Sequence, residues 1–287
     1  MAAGLSATGP ASGPAATAPA PAGHHAVFHR LAVSEVRRLT DDAVAITFEV
    51  PDELAAAYRF TQGQHVALLC PVAGDEVRRN YSICESAASG VLRVAVKRLP
   101  GGVFSGYAHG RLQPGDVLDV MTPVGRFFTP LDPASRKRYA AIAAGSGITP
   151  VLSIVATTLE VEPASQVTLV YQNRTTGSIM FLEELEDLKN RYPARLELIH
   201  VLSREPQDLE LFHGRLDRGR LTDLLDRLIP PEDVDEWFLC GPASMIEEAR
   251  STLLARGVPA ARVHRELFHS EPGPGLRRVA THRGGGP

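Results

Sequence analysis

The sequence predicts a β plus α/β chain, an antiparallel β-barrel followed by a parallel-sheet α/β domain. Three observations carry that reading. At 287 residues the chain is long enough for two cores of ordinary size that need no disulfide or metal. Up to about Pro130 it runs as short β-branched stretches separated by Gly and Pro, the rhythm of a barrel. After Pro133 compact apolar stretches alternate with longer helical patterns, as strands and crossover helices do.

The first 26 residues contain no Lys, Arg, Asp or Glu and are mostly Ala, Pro, Gly, Ser and Thr, so residues 1–26 are expected to be disordered. Pro10, Pro14, Pro19 and Pro21 interrupt any apolar core that a secretory signal would need. The barrel is expected over residues 27–132, with strands at Ala43–Val50, His65–Leu69, Val91–Lys97 and Val117–Met121. Within Leu112-Gln-Pro-Gly-Asp116, Pro then Gly suits a type II turn. Pro130 and Pro133 bracket a polar connector. The α/β domain is expected over residues 137–268, with strands at Tyr139–Ala143, Val167–Tyr171, Leu196–Leu202 and Glu236–Cys240. Ile179, Leu182, Leu185 and Leu188 form a helical apolar stripe that would face the sheet. Residues 269–287, rich in Gly, Pro and Arg, are expected to be an unfolded tail.

Composition narrows the partners. The formal charge of −3 arises from interspersed acids and bases, which argues against nucleic acid. No apolar run reaches the roughly 18 residues of a membrane helix. Cys70, Cys84 and Cys240 are too far apart for a zinc or redox pair, so a reducing, cytoplasmic location is expected.

Four strings could carry chemistry. In Ala143-Ala-Gly-Ser-Gly-Ile-Thr-Pro150 a glycine-rich turn joins a strand to a helix that Thr149 could cap. Gly145 and Gly147 would let a pyrophosphate approach the free N–H groups there, although such turns are often only tight packing. Phe238-Leu-Cys-Gly-Pro242 ends another strand at the same rim and would bring Cys240, Gly241 and Pro242 beside the first turn; a buried structural thiol is the alternative. Ser203 and Arg204 follow a third strand, with Arg174 past a fourth. A hydroxyl beside guanidinium groups suits a phosphate monoester, and a solvated loop has the same composition. In the barrel half, Arg78-Arg-Asn-Tyr-Ser-Ile-Cys84 reads as one strand face offering charge, a ring and a hydroxyl, or as an ordinary half-exposed strand. Val96-Lys-Arg98 and Gly101-Gly-Val-Phe-Ser105 add basic groups and a second glycine turn.

In this order, across about residues 28–268, these strings resemble the ferredoxin–NADP reductase superfamily. The resemblance implies an FAD-binding barrel, an NADP(H)-binding α/β domain, and hydride passing from nicotinamide to flavin. By it, Arg79 meets the FAD pyrophosphate, Tyr81 stacks on the isoalloxazine and Ser82 approaches its N5. Val96, Lys97, Gly102, Val103 and Ser105 are expected at the flavin cofactor, the last turn at its phosphates. Gly145, Gly147, Thr149, Cys240, Gly241 and Pro242 are expected to hold the nicotinamide dinucleotide, with Thr149 and Cys240 flanking hydride transfer. Ser203, Arg204 and Arg174 would take the 2′-phosphate. His264-Arg-Glu-Leu-Phe268 is similar to a closing motif that puts Glu266 near the flavin and Phe268 over its ring. Ser82, Cys240 and Glu266 are thus the implied catalytic residues.

More narrowly, Arg59–His65, Ala140–Pro150 and Tyr171–Thr175 resemble the reductases of phenylacetyl-CoA epoxygenase systems, which carry a [2Fe–2S] domain after the nicotinamide domain. No cysteine follows Cys240, so no [2Fe–2S] cluster is expected in this chain. The implied acceptor is an iron–sulfur or di-iron oxygenase component. A stand-alone ferredoxin or flavodoxin reductase, or a non-catalytic flavin-binding subunit, are the alternatives.

Overall fold

The computed structural model describes residues 26–72 and 75–268. Apart from Ala26, the stretches 1–26 and 269–287 lie outside those residues. The first half is a six-stranded antiparallel sheet built from β1 (Phe28–Thr40), β2 (Ala43–Glu49), β3 (His65–Val72), β4 (Asp75–Ser82), β5 (Leu92–Lys97) and β6 (Val117–Met121), in the order β4-β3-β6-β1-β2-β5. The two outer strands meet where β4 runs out. Ile83 bridges Val94 and the Cys84 N–H donates to the Arg93 carbonyl at 3.0 Å, which closes the sheet into a barrel. Alternation along each strand sends Leu31, Ile46, Leu68, Val94 and Val120 into one core. The expected tight turn is present, with Gly115 at φ +93°.

Two barrel elements depart from the sequence reading. β1 is the longest strand, yet only Leu31, Val33 and Thr40 of its residues are buried, so its pattern is too polar to read alone. The second glycine turn opens a helix, α1 (Val103–Gly110), which buries Phe104 and Ala108 in the barrel.

The second half is a five-stranded parallel sheet of β7 (Arg138–Ala144), β8 (Gln166–Asn173), β9 (Leu196–Leu202), β10 (Glu236–Gly241) and β11 (Val263–Leu267), ordered β11-β10-β7-β8-β9. Helices α2 (Ile148–Val161) and α3 (Leu182–Arg191) pack on one face, and α4 (Arg218–Arg227) and α5 (Ala243–Ala255) on the other. The chain leaves β7 in both directions, first to β8 and later to β10. A crevice therefore opens between the carboxyl ends of β7 and β10, where doubly wound sheets take ligands. The predicted apolar stripe faces this core, but Ile179 precedes α3, because Phe181 at φ +61° interrupts the helical path.

The halves share a core. Ala43, Ala45, Cys84, Ala95 and Phe127 from the barrel join the cluster beneath α2 and α3. Phe127 meets Phe238 edge-on, with ring centroids 5.5 Å apart. Ion pairs add to the seam: Arg37 pairs with Glu184, and Arg93 reaches Glu85 at 2.6 Å and Glu184 at 3.8 Å. Among the described residues, no helix is long and apolar enough to cross a membrane.

Candidate functional site

A single cleft of about 1270 Å³ runs from the barrel wall to the carboxyl rim of the parallel sheet. Its barrel wall is β4, β5 and the start of α1. Arg79 and Tyr81, two residues apart on β4, share a side, and Tyr81 packs on Phe104 with ring centroids 5.3 Å apart. Burial pushes the Tyr81 phenol well above its usual range, opposed in part by Arg79, so it stays protonated. Strict alternation would turn Ser82 away from Arg79 and Tyr81. It lines the cleft nevertheless, as the last residue of β4, directly opposite His65.

The α1 turn is closed by Ser105. Its hydroxyl accepts from the Leu99 N–H at 3.1 Å and donates to the Gly102 carbonyl at 3.3 Å. A Cβ on Gly102 would lie 2.4 Å from that hydroxyl oxygen, so only glycine leaves the turn intact. Gly102, Val103 and Ser105 line the cleft, and the free N–H groups of the first α1 turn form an anion cradle there. Lys97 lines the cleft too, 3.4 Å from Asp42. Val96 does not; its side chain is 1% exposed, in the barrel core.

On the sheet side the wall is made by the β7–α2 turn and the end of β10. The Tyr171 hydroxyl donates to the Gly145 carbonyl at 2.9 Å and props the turn, where Gly145 takes φ +53°. Gly145, Gly241 and Pro242 face the cleft. Gly147 lies behind them, so close to β10 that a Cβ would fall 2.3 Å from the Cys240 carbonyl oxygen. Two expectations need correction here. Thr149 does not cap α2: the helical path begins a turn earlier, at Gly145, and the buried Thr149 hydroxyl donates back to the Ser146 carbonyl at 3.0 Å. Cys240 is fully buried, and burial, aided by Glu266, raises its thiol well above the ordinary range. Neither side chain reaches the cleft surface, so the wall between them is Gly145 and Ser146 on one side and Gly241 and Pro242 on the other.

β11 supplies an acid on the barrel side of the sheet rim, Glu266. His264 stacks on Phe238 at 4.9 Å and lies 2.9 Å from Glu236, which docks β11 on β10 and sets Glu266 on the cleft wall. Partial burial holds the Glu266 carboxyl above its usual value. Phe268 follows it and donates its N–H to the Gly241 carbonyl at 3.4 Å.

At the far end of the rim, where β8 and β9 end, Arg174, Ser203 and Arg204 line the cleft, as does Arg215, which the sequence did not single out. Among the described residues none of the three guanidinium groups has an acidic or hydrogen-bonding partner. Asn173 and His65 are further lining residues without a sequence signal. Asn173 is buried, and its amide nitrogen has no hydrogen-bond partner. His65 is kept toward its neutral form by burial and by Arg78.

The residues present fit both cofactors that the motifs imply. A glycine-only cradle at Gly102 beside an arginine and a buried ring suits a flavin nucleotide. An orphaned amide at Asn173 and three free guanidinium groups suit a phosphorylated dinucleotide.

Comparison with known proteins supports a flavin and a nicotinamide dinucleotide. The model of the oxidoreductase FAD-binding domain matches residues 30–128, and that of the oxidoreductase NAD-binding domain matches residues 141–251. A subunit of the 1,2-phenylacetyl-CoA epoxidase of Escherichia coli (strain K12) is 48% identical over 88% of this chain and 70% of its own. The ferredoxin reductase component of 3-ketosteroid-9-alpha-monooxygenase from Rhodococcus rhodochrous is 36% identical over 85% of this chain and 66% of its own. The flavohem-like FAD/NAD binding domain of nitric oxide dioxygenase from Vibrio cholerae O1 biovar El Tor shares the fold, with a TM-score of 0.72 at 26% identity over 83% of this chain and 98% of that one. Two nucleotide-binding halves that open onto one cleft define an oxidoreductase that uses FAD and a nicotinamide dinucleotide. This chain belongs to the ferredoxin–NADP reductase family.

Proposed function

We propose that the chain takes electrons from NADPH and delivers them, through FAD, to an iron–sulfur or di-iron component of a multicomponent oxygenase of the phenylacetyl-CoA epoxygenase kind. The preference for NADPH rests on one observation: Ser203 lines the cleft together with Arg174, Arg204 and Arg215, and among the described residues none of the three guanidinium groups forms an ion pair. A 2′-phosphate would meet up to three charge-assisted donors there, which a bare ribose hydroxyl cannot use. The oxygenase acceptor is inferred from the two relatives, which are by name components of an epoxidase and of a monooxygenase.

FAD, when bound, supplies the conversion of a two-electron hydride into single electrons, which a nicotinamide cannot perform. The chain's own residues bind and orient. Arg79 and the α1 turn hold the flavin's pyrophosphate, and Tyr81 offers a ring that burial keeps protonated. Ser82 presents a hydroxyl on the wall where the two cofactors meet. Gly145, Gly241 and Pro242 keep that wall free of bulk, with Gly147, Thr149 and Cys240 acting from behind it by fixing the turn. Glu266 and Phe268 close the β11 side, where partial burial raises the Glu266 carboxyl above its usual range. Cys84 and Cys240 are buried and unpaired, in keeping with a reducing cytoplasm.

The Arg204→Ala substitution tests the reading. It should raise KM for NADPH about 10- to 100-fold with little change for NADH, since loss of one bidentate phosphate partner removes roughly 1.5–3 kcal/mol. Equal losses with both nucleotides would remove Arg204 from phosphate recognition.

A further inference from the structure

We propose that Glu205 is a positioning residue for the phosphate end of the cleft, clamping the loop after β8 to the loop after β9 so that Arg174 and Arg204 converge. The inference rests on the NADPH reading above and adds a residue that touches no ligand itself.

An acid next to a phosphate-binding arginine is at first sight misplaced, because its charge opposes the ligand's. Here the carboxylate is turned to another task. One oxygen accepts from the Thr176 N–H at 2.8 Å and the other from the Thr176 hydroxyl at 2.7 Å. These two bonds hold the carboxyl below its usual range, so it remains an anion with both oxygens engaged.

The clamp completes a ladder. The Ser203 N–H donates to the Asn173 carbonyl at 3.0 Å and the Arg204 N–H to the Arg174 carbonyl at 2.8 Å, so the strand pairing of β8 and β9 continues past both strand ends. Glu205 and Thr176 form the next rung, made by a side chain because the backbones diverge. Within the first loop, the Ser178 hydroxyl accepts from the N–H groups of Arg174 at 3.2 Å and Thr175 at 3.0 Å. The segment carrying Arg174 is thus tied at Ser178 and again at Thr176. Without Glu205 the second tie is lost, two donors on Thr176 are released to water, and beyond the β8–β9 ladder only the backbone bond from Arg204 to Arg174 holds the two loops together. A site made of surface arginines depends on such support, since each long side chain loses rotamer freedom when it holds a ligand.

Two effects of removing Glu205 have opposite signs. Loss of its charge alone would strengthen anion binding, whereas loss of the clamp would weaken it. The experiment uses the full-length FAD-loaded protein and measures calorimetric binding of 2′,5′-ADP and of 5′-AMP. In the wild type 2′,5′-ADP should bind much more tightly. Glu205→Ala should weaken 2′,5′-ADP about 5- to 10-fold and leave 5′-AMP unchanged, which also shows that the sheet is intact. Glu205→Gln, which keeps an acceptor for the Thr176 N–H without the charge, should recover most of the wild-type affinity. Glu205→Ala binding 2′,5′-ADP as tightly as the wild type, or more tightly, overturns the proposal. So does a Glu205→Gln variant that fails as badly as the alanine. If the wild type itself does not distinguish the two nucleotides, it is the NADPH reading that fails.

Discussion

Glu266 sits on a wall where partial burial disfavours its charge, so it couples stability to pH. Its folded-state value is raised above the ordinary 4.5 by burial, which means the folded protein favours the protonated form more than the unfolded chain does. Below the unfolded value both states are protonated and nothing is lost. As pH rises through the folded value, ionisation costs stability. Glu266→Gln should therefore stabilise the apoprotein at pH 7 to 8, by under about 1 kcal/mol because the group keeps contact with water. That gain should vanish as pH falls below 4.5. Thermal unfolding of both forms across pH checks it, and a gain that persists at low pH would assign the effect to packing. At this scale the sequence was informative where chemistry is local: Arg79, Tyr81, Ser203 and Arg204 sit in strings whose residue types already suit phosphate or a ring. Asn173, Arg215 and His65 were not visible, because each reaches the cleft through sheet order and strand ends that no local pattern encodes.

At the scale of an element, the β7–α2 turn shows what a glycine string means. Gly145 and Gly147 look alike in sequence and do different work. Gly145 needs a left-handed φ of +53°, and a Cβ there meets nothing within 4 Å. Gly147 has ordinary backbone angles, and a Cβ there strikes the Cys240 carbonyl at 2.3 Å and the Gly241 nitrogen at 2.8 Å. Gly145→Ala should cost about 1 kcal/mol, the penalty of the left-handed region, whereas Gly147→Ala should cost about 2–4 kcal/mol because backbone must move. Denaturant unfolding of the two variants should rank them in that order, and equal losses would contradict the packing account. The turn was legible as a glycine-rich strand-to-helix turn. That Thr149 points back to Ser146 instead of capping α2 was not, since the helical path starts at Gly145 and shifts every cap position by a turn.

For the whole molecule, hydride transfer between two bound nucleotides requires the halves to behave as one body. The seam between them supplies that. Phe127 extends from the barrel into the sheet's core against Phe238, and beside it Gly63 packs so closely that a Cβ there would lie 3.1 Å from Ile154 of α2. Arg93 bridges the halves, pairing with Glu85 on its own side and with Glu184 of α3, its guanidinium lying 5.6 Å from the Phe181 ring. The two-domain order could be read from the change in hydrophobic rhythm near Pro133. The seam could not, because its residues are scattered from Arg37 to Phe238 and look like ordinary core or surface positions in sequence. One cleft bounded by both halves is the physical basis of the functional reading, and it makes the transfer step the decisive test. The FAD-loaded protein, titrated anaerobically while flavin absorbance is followed, should be bleached by stoichiometric NADPH and should require at least about tenfold more NADH. Flavin that stays yellow under NADPH, or that bleaches equally with both nucleotides, would contradict the account.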